Sequence, residues 1–172
     1  ARDEYEAAYD PAVHPIEKAR RLLIRSFMGY GANGVHHRTG FKGNDNKARC
    51  TTADSWVTFP DYIPRFCERL QGVVIENDDA LELMRRYDRP DTLHYVDPPY
   101  PLETRGNRIR YSHEMSNDCH KTLLEFVATL KGKVVLSGYD HPLYNDLQWR
   151  RVERETLADG ARKRTEVLWL NF

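Results

Sequence analysis

The sequence has little that would carry a chain into or across a membrane. No apolar run approaches the ~20 residues that a bilayer-spanning helix needs, and the opening Ala1-Arg2-Asp3-Glu4-Tyr5 is too charged for a signal peptide. A cytoplasmic protein with no membrane partner is therefore expected. Cysteine is equally scarce. Cys50, Cys67 and Cys119 are odd in number and widely spaced, which suggests neither a disulfide framework nor a zinc site. Net charge is absent too, with 26 basic residues against 26 acidic ones. That neutrality decides little about nucleic acid, because a DNA-binding enzyme needs positive charge on one face only. What remains, 172 residues with 40% hydrophobic content, suits a soluble globular domain with a core of its own.

The charges that are present are unevenly placed. Lys18, Arg20, Arg21, Arg25, Arg38, Lys42, Lys47 and Arg49 crowd one stretch, opposed within it by Asp45 alone, while Glu76, Asp78, Asp79, Glu82 and Asp97 lie further on. This is either a solvated helix face followed by a polar loop, or a basic surface for a polyanion.

Local patterns divide the chain into a helical first part and an α/β second part. Glu4 to Ala8 forms a short helix candidate, ended by Asp10-Pro11. Pro15 suits the first turn of the next helix, whose Ile16, Ala19, Leu23 and Phe27 recur at helical spacing. Gly29 and Gly31 stop it. Gly29 to Gly34 matches G-x-G-x-x-G in letters, but a dinucleotide fingerprint follows a strand and opens a helix. Here a helix precedes and His36-His37-Arg38-Thr39-Gly40 follows, so the segment reads as a helix exit into a flexible loop. His36-His37 has no further ligand at metal-binding spacing and is assigned to DNA or solvent. Val35 to Thr52 is a polar loop, and such loops are often functional. Pro60 starts another helix with Ile63, Phe66, Cys67 and Leu70 on one side, closed by Gly72.

After Gly72 the grammar changes. Val73-Val74-Ile75-Glu76 reads as a buried strand, Ala80 to Tyr87 as a helix and Leu93 to Val96 as a second strand, together a β-α-β crossover with parallel strands. Asn77-Asp78-Asp79 closes the first strand, where Asp78 or Asp79 would equally serve as a helix N-cap. Pro101 to Ser116 is a cationic, aromatic loop with Arg105, Arg108, Arg110 and Tyr111. A helix with Leu123, Leu124, Val127 and Leu130 follows, then the strand Lys133 to Ser137 with Gly138-Tyr139 at its exit. Trp149 to Glu155 and Thr165 to Asn171 form an antiparallel hairpin around Ala158-Asp159-Gly160.

The chemistry concentrates in Leu93-His94-Tyr95-Val96-Asp97-Pro98-Pro99-Tyr100. A strand ends in a carboxylate, and two prolines stiffen the turn that carries an aromatic ring. In an open α/β sheet, ligands sit at the carboxyl ends of strands, where this turn falls. Pro98 and Pro99 offer carbonyls but no N–H, so with Asp97 they form a cluster of acceptors suited to an amino group. Tyr100 can stack on the plane of a base whose exocyclic NH₂ is held there.

Asp97-Pro98-Pro99-Tyr100, framed by these strands, resembles the catalytic DPPY motif of amino-methyltransferases that act on DNA. The chain as a whole resembles the Dam-like (D12 class) adenine-N6 branch, particularly its phage and prophage members. The resemblance implies an α/β fold, the C-terminal part of a Rossmann-like S-adenosylmethionine-dependent methyltransferase mixed sheet, with a helical target-recognition segment over residues 1–71 and the catalytic part over 72–172. It implies Asp97, Pro98, Pro99 and Tyr100 as catalytic residues. Asp79, with Asn77 and Asp97, would contact the cofactor S-adenosylmethionine. Arg25, Arg38, Lys42, Lys47, Arg49, Arg105 and Arg108 would bind double-stranded DNA, and no metal is required. Family members carry a Gly-containing strand-turn for the methionine part of the cofactor ahead of a segment like 1–34. Nothing before Val73 matches it, so self-association or a separate cofactor-binding part is expected. A noncatalytic DNA-binding remnant and a cytosine-N4 methyltransferase are the alternatives.

Overall fold

A computed structural model describes residues 1–30, 32–35, 37–43, 52–106, 111, 113–158 and 162–172. The chain divides into two compact units, Ala1–Ile75 and Glu76–Phe172, against an expected boundary after residue 71.

In the first unit, α1 (Arg2–Ala7), α2 (Pro15–Met28) and α3 (Thr52–Arg69) surround a small core of Tyr5, Ala8 and Ile24, with Tyr9, Met28, Phe41 and Trp56 packed against it. Pro15 opens α2 as expected, but the buried side is rotated from the expected stripe. Ile16 is 74% exposed and Ile24 is buried, because Ile24 is the residue that meets Tyr5 of α1 and Ala8 just after it. The segment after α2 is tied down rather than flexible over its described residues. Tyr5 Oη donates to the Thr39 carbonyl at 2.8 Å and Tyr9 Oη to the Gly34 carbonyl at 2.8 Å, while the Tyr30 amide reaches the Gly40 carbonyl at 2.9 Å. Gly29 permits this close fold-back: a Cβ there would stand 3.1 Å from Thr39 Oγ1 and 3.2 Å from Gly34 Cα, besides 2.6 Å from the Arg25 carbonyl oxygen of α2.

The third helix begins at Thr52 rather than at Pro60, and encloses Pro60 and Pro64. Each proline removes one helical N–H bond. Phe27 of α2 compensates by meeting Trp56 and Phe59 edge-on, with ring centroids 5.5 and 4.9 Å apart, which holds the turn before Pro60 helical.

The second unit contains α4 (Ala80–Tyr87), α5 (Asn117–Val127) and a mixed four-stranded sheet in the order β1-β2-β4-β3. Here β1 is Leu93–Val96, β2 Lys133–Tyr139, β3 Arg150–Ala158 and β4 Arg162–Leu170. The strands β1 and β2 are parallel, with α5 in the crossover, and β2–β4 and β4–β3 are antiparallel. The expected terminal hairpin is present as β3–β4. Leu123 and Val127 of α5 pack on Val134, Leu136, Val167, Trp169 and Tyr144, and Leu81 and Met84 of α4 join the same cluster. Alternation along the strands puts these sheet residues on one face, so both helices cover that face. The molecule is thus mixed α/β, with five α-helices among the described residues.

One expected strand is absent. Val73, Val74 and Ile75 are 48, 74 and 82% exposed and form no strand. The only parallel partner of β1 among the described residues is β2, so the crossover that builds the parallel pair runs through α5, not α4. Asp88 fixes the start of that pair: its carboxylate accepts from the Lys131 amide at 2.9 Å and the Gly132 amide at 2.9 Å, which holds its pKa below the usual carboxylate range. No helix among the described residues is long and apolar enough to cross a membrane.

Candidate active site

Because β1 and β2 run parallel, their carboxyl ends lie at one edge of the sheet, and the Asp97–Tyr100 turn leaves β1 there beside Tyr139 at the end of β2. Val96 pairs with Leu136, which brings Asp97 opposite Ser137. Ser137 is buried, and its hydroxyl donates to Asp97 Oδ1 at 2.7 Å with the Val96 carbonyl at 3.3 Å. The carboxylate itself is exposed. An anchored but open carboxylate, followed by two residues with no N–H, is an acceptor set for an incoming N–H donor.

Tyr100 meets Tyr139 edge-on, with centroids 4.8 Å apart and planes at 75°. Burial first, then the negative charge of Asp97, push the Tyr100 phenol up to about 12 despite an opposing contribution from Ser137, so it stays a neutral hydroxyl. The Arg164 guanidinium lies 5.6 Å from the Tyr139 ring centroid. Tyr100 thus meets a second aromatic ring, over which a cation lies.

Arg105, expected on DNA, is drawn inward instead. Its Nε donates to the Tyr100 carbonyl at 2.7 Å, it pairs with Glu114, and its side chain is only 9% exposed. The Tyr111 amide donates to the same Glu114 carboxylate at 3.0 Å, and the Tyr111 ring lies 5.3 Å from the guanidinium. Glu114 neutralises the arginine and holds it as a brace for the turn, which removes it from the surface a phosphate would meet. Arg108 lies outside the described residues.

His120 on α5 is fully buried, with Nδ1 3.3 Å from the Tyr144 hydroxyl. Burial, more than any neighbouring charge, lowers its pKa below the ordinary imidazole value.

The expected cofactor residues make their described contacts with α4. Asp79 caps the helix, its Oδ1 accepting from the Leu81 amide at 2.9 Å and the Glu82 amide at 3.1 Å, and Asp78 pairs with Arg86 at 2.9 Å. Asn77 is exposed on the approach to the cap. Both capping bonds use Oδ1, so the cap makes no demand on Oδ2, which fits a carboxylate that also accepts from an amino group.

The remaining DNA candidates belong to the first unit. Arg25 and Arg38 both face the Tyr9 ring, at 5.5 and 5.3 Å from its centroid, and Arg38 also pairs with Glu6 at 3.1 Å. Arg38 and Lys42 are exposed, whereas Arg25 is half-buried with its Nε sealed from solvent. Lys47 and Arg49 lie outside the described residues. Among those that are described, no group of His, Cys, Asp or Glu residues could hold a metal.

Ser137, His120, Tyr144 and Glu114 escaped the sequence reading as site residues. Two of them left signals. Strand register from Val96 and Leu136 sets Ser137 against Asp97, and His120 falls on the stripe that continues through Leu123 and Val127. Compared with known proteins, the chain matches no family model and no curated protein.

Proposed function

We propose that this chain carries the recognition and catalytic parts of a DNA adenine-N6 methyltransferase that uses S-adenosylmethionine, and that its sheet is part of a Rossmann-like methyltransferase sheet. The observation that carries the reading is the Asp97 carboxylate, tethered by Ser137 yet open to solvent, at the shared carboxyl edge of two parallel strands beside the Tyr100–Tyr139 pair.

Within this reading, the target adenine leaves the duplex at an unstacking cost of a few kcal/mol. Basic side chains such as Arg38 and Lys42 offset that cost through phosphate contacts. Asp97 and the Pro98 carbonyl accept the two N6 hydrogens, which fixes the amino group and directs the nitrogen lone pair outward. Tyr100 stacks on the base. Bound S-adenosylmethionine would supply an electrophilic methyl group on a sulfonium, and Asp79 with Asn77 would hold its adenine part. The proton released from N6 has Asp97 as its nearest acceptor.

A noncatalytic DNA-binding remnant is the second reading. It is favoured by the exposed Val73-Val74-Ile75 segment, which makes no strand beside β1. A cytosine-N4 enzyme would use the same acceptors, since its target is also an exocyclic amine.

One assay separates the three: transfer of labelled methyl from S-adenosylmethionine to unmethylated duplex DNA, followed by nucleoside analysis, with Asp97→Ala as control. N6-methyladenine that disappears in the control is the expected result. N4-methylcytosine selects the cytosine reading. DNA binding without transfer, and without binding of S-adenosylmethionine, selects the remnant.

A further inference from the structure

The terminal hairpin overhangs the carboxyl edge of the parallel pair. The strand β2 ends at Tyr139, whose Cα partner on β4 is Glu166, while β3 and β4 stay paired with each other out to Ala158 and Arg162. Arg164 therefore stands on the overhang, beyond the last pairing with β2. Directly paired residues share a face, and so do alternate residues along a strand, which puts Arg164, Glu166, Tyr139 and Ser137 on one side of the sheet. It is the side opposite Leu136, Val167 and Trp169, against which the helices pack.

On that side a cation lies over an aromatic ring. The Arg164 guanidinium is 5.6 Å from the Tyr139 ring centroid, and Tyr139 in turn meets Tyr100 at 4.8 Å. Arg164 is half-buried. Among the described residues no carboxylate is paired with it, the neighbouring Glu166 included. Arg105 and Arg151 differ in this respect, since Glu114 neutralises the first and Asp140 with Glu153 the second.

A guanidinium that rests on a ring gives one flat face to the π system and keeps its N–H donors in the plane, pointing outward. That fork matches two oxygens of a phosphate. A nucleotide presents both parts of such a ligand, because a base stacked on Tyr100 brings a phosphodiester on each side of its sugar.

We propose that Arg164 binds a backbone phosphate flanking the extruded nucleotide, so that the Tyr139–Arg164 ledge takes a nucleotide within a strand rather than a free base. This assignment rests on the turn being the place where the base is held. It gives the second unit an anion site that the sequence reading did not include.

Fluorescence anisotropy of the full chain, bound to a duplex that carries one adenine opposite an abasic site, tests the proposal over a salt series. Such an adenine leaves the stack at little cost. Arg164→Gln should lower the slope of log K against log salt by about 0.9, the share of one phosphate contact. It should also weaken binding about tenfold at low salt. Arg164→Met, whose unbranched stem still covers the Tyr139 ring, should do the same and stands in if the Gln variant does not melt cooperatively. Slopes equal to the parent's overturn the proposal, even where affinity falls, because a structural defect alone releases no counterion. Loss of S-adenosylmethionine binding at an unchanged DNA slope would instead put the guanidinium on the cofactor's carboxylate, and the phosphate assignment falls. A parent chain that binds this duplex but transfers no methyl group refutes the catalytic reading alone, and the slopes still decide the inference. A parent chain that binds no DNA refutes both.

Discussion

Ser137 has one proton to donate, and at 2.7 Å the Asp97 carboxylate receives it. Ser137→Ala should therefore release the carboxylate without opening a large cavity. We expect a stability loss of about 1 kcal/mol and a fall in kcat of about tenfold, with KM for DNA unchanged; steady-state methyl transfer and a urea melt check both. His120 gives a pH signature with a definite sign. Its folded pKa lies below the ordinary 6.5, so the unfolded chain takes up the proton first as pH falls. Stability is complete above 6.5 and declines as pH drops from there toward the folded value. Urea midpoints followed from neutral to mildly acidic pH should show that decline in the parent chain and a shallower one in His120→Gln. Identical slopes would contradict the assignment. Asp97 was readable in the sequence because strand, carboxylate and prolines are consecutive. His120 was not, because Tyr144, which its Nδ1 meets, lies on a 3₁₀ segment elsewhere in the chain, and local spacing shows only that it shares a stripe with Leu123 and Val127.

Helix boundaries show the same contrast between local and distant causes. Pro15 announces its helix directly. Pro60 misleads, since its usual place is a first turn, and only the contact of Phe27 with Trp56 and Phe59 reveals that the helix is already under way. Val73-Val74-Ile75 has the composition of a buried strand, yet a strand needs a neighbour, and composition cannot supply one. The end of α2 offers a sharp test. At Gly29 an added Cβ meets the Arg25 carbonyl at 2.6 Å, whereas at Gly40 it meets nothing within 4 Å. Gly29→Ala should destabilise the first unit by about 1–3 kcal/mol, while Gly40→Ala should leave its melt unchanged. Thermal melts followed by circular dichroism distinguish the two, and equal midpoints would show that the fold-back is looser than described.

At the scale of the molecule, the two sheet edges are treated differently. The strand β3 presents Arg150, Arg151, Glu153, Arg154 and Glu155, charges that discourage pairing with another chain. The outer edge of β1 carries Leu93 and Tyr95, both exposed, and the first unit exposes Val57, Phe66, Leu70, Val74 and Ile75. Apolar surface on this scale marks an interaction site or an association liability. The chain alone should therefore self-associate as its concentration rises, seen as an increasing weight-average mass in sedimentation; a monomer at all concentrations, with a cooperative melt, would count against this. The mixed sheet and its terminal hairpin could be inferred from alternation and turn residues, but not which edge stays open, since strand order depends on pairings remote in sequence. That remoteness also governs when the site comes into being. Asp97 and Ser137 are 40 residues apart in the chain, and closing a loop of that length costs about 3 kcal/mol in entropy. At ribosomal speeds Ser137 is made roughly 2–8 s after Asp97. The Asp-Pro-Pro-Tyr turn thus leaves the ribosome as an unanchored peptide and becomes a site only when α5 has docked and β2 has zipped alongside β1. In a refolding experiment, recovery of activity would then time the closure of the parallel pair rather than formation of the turn.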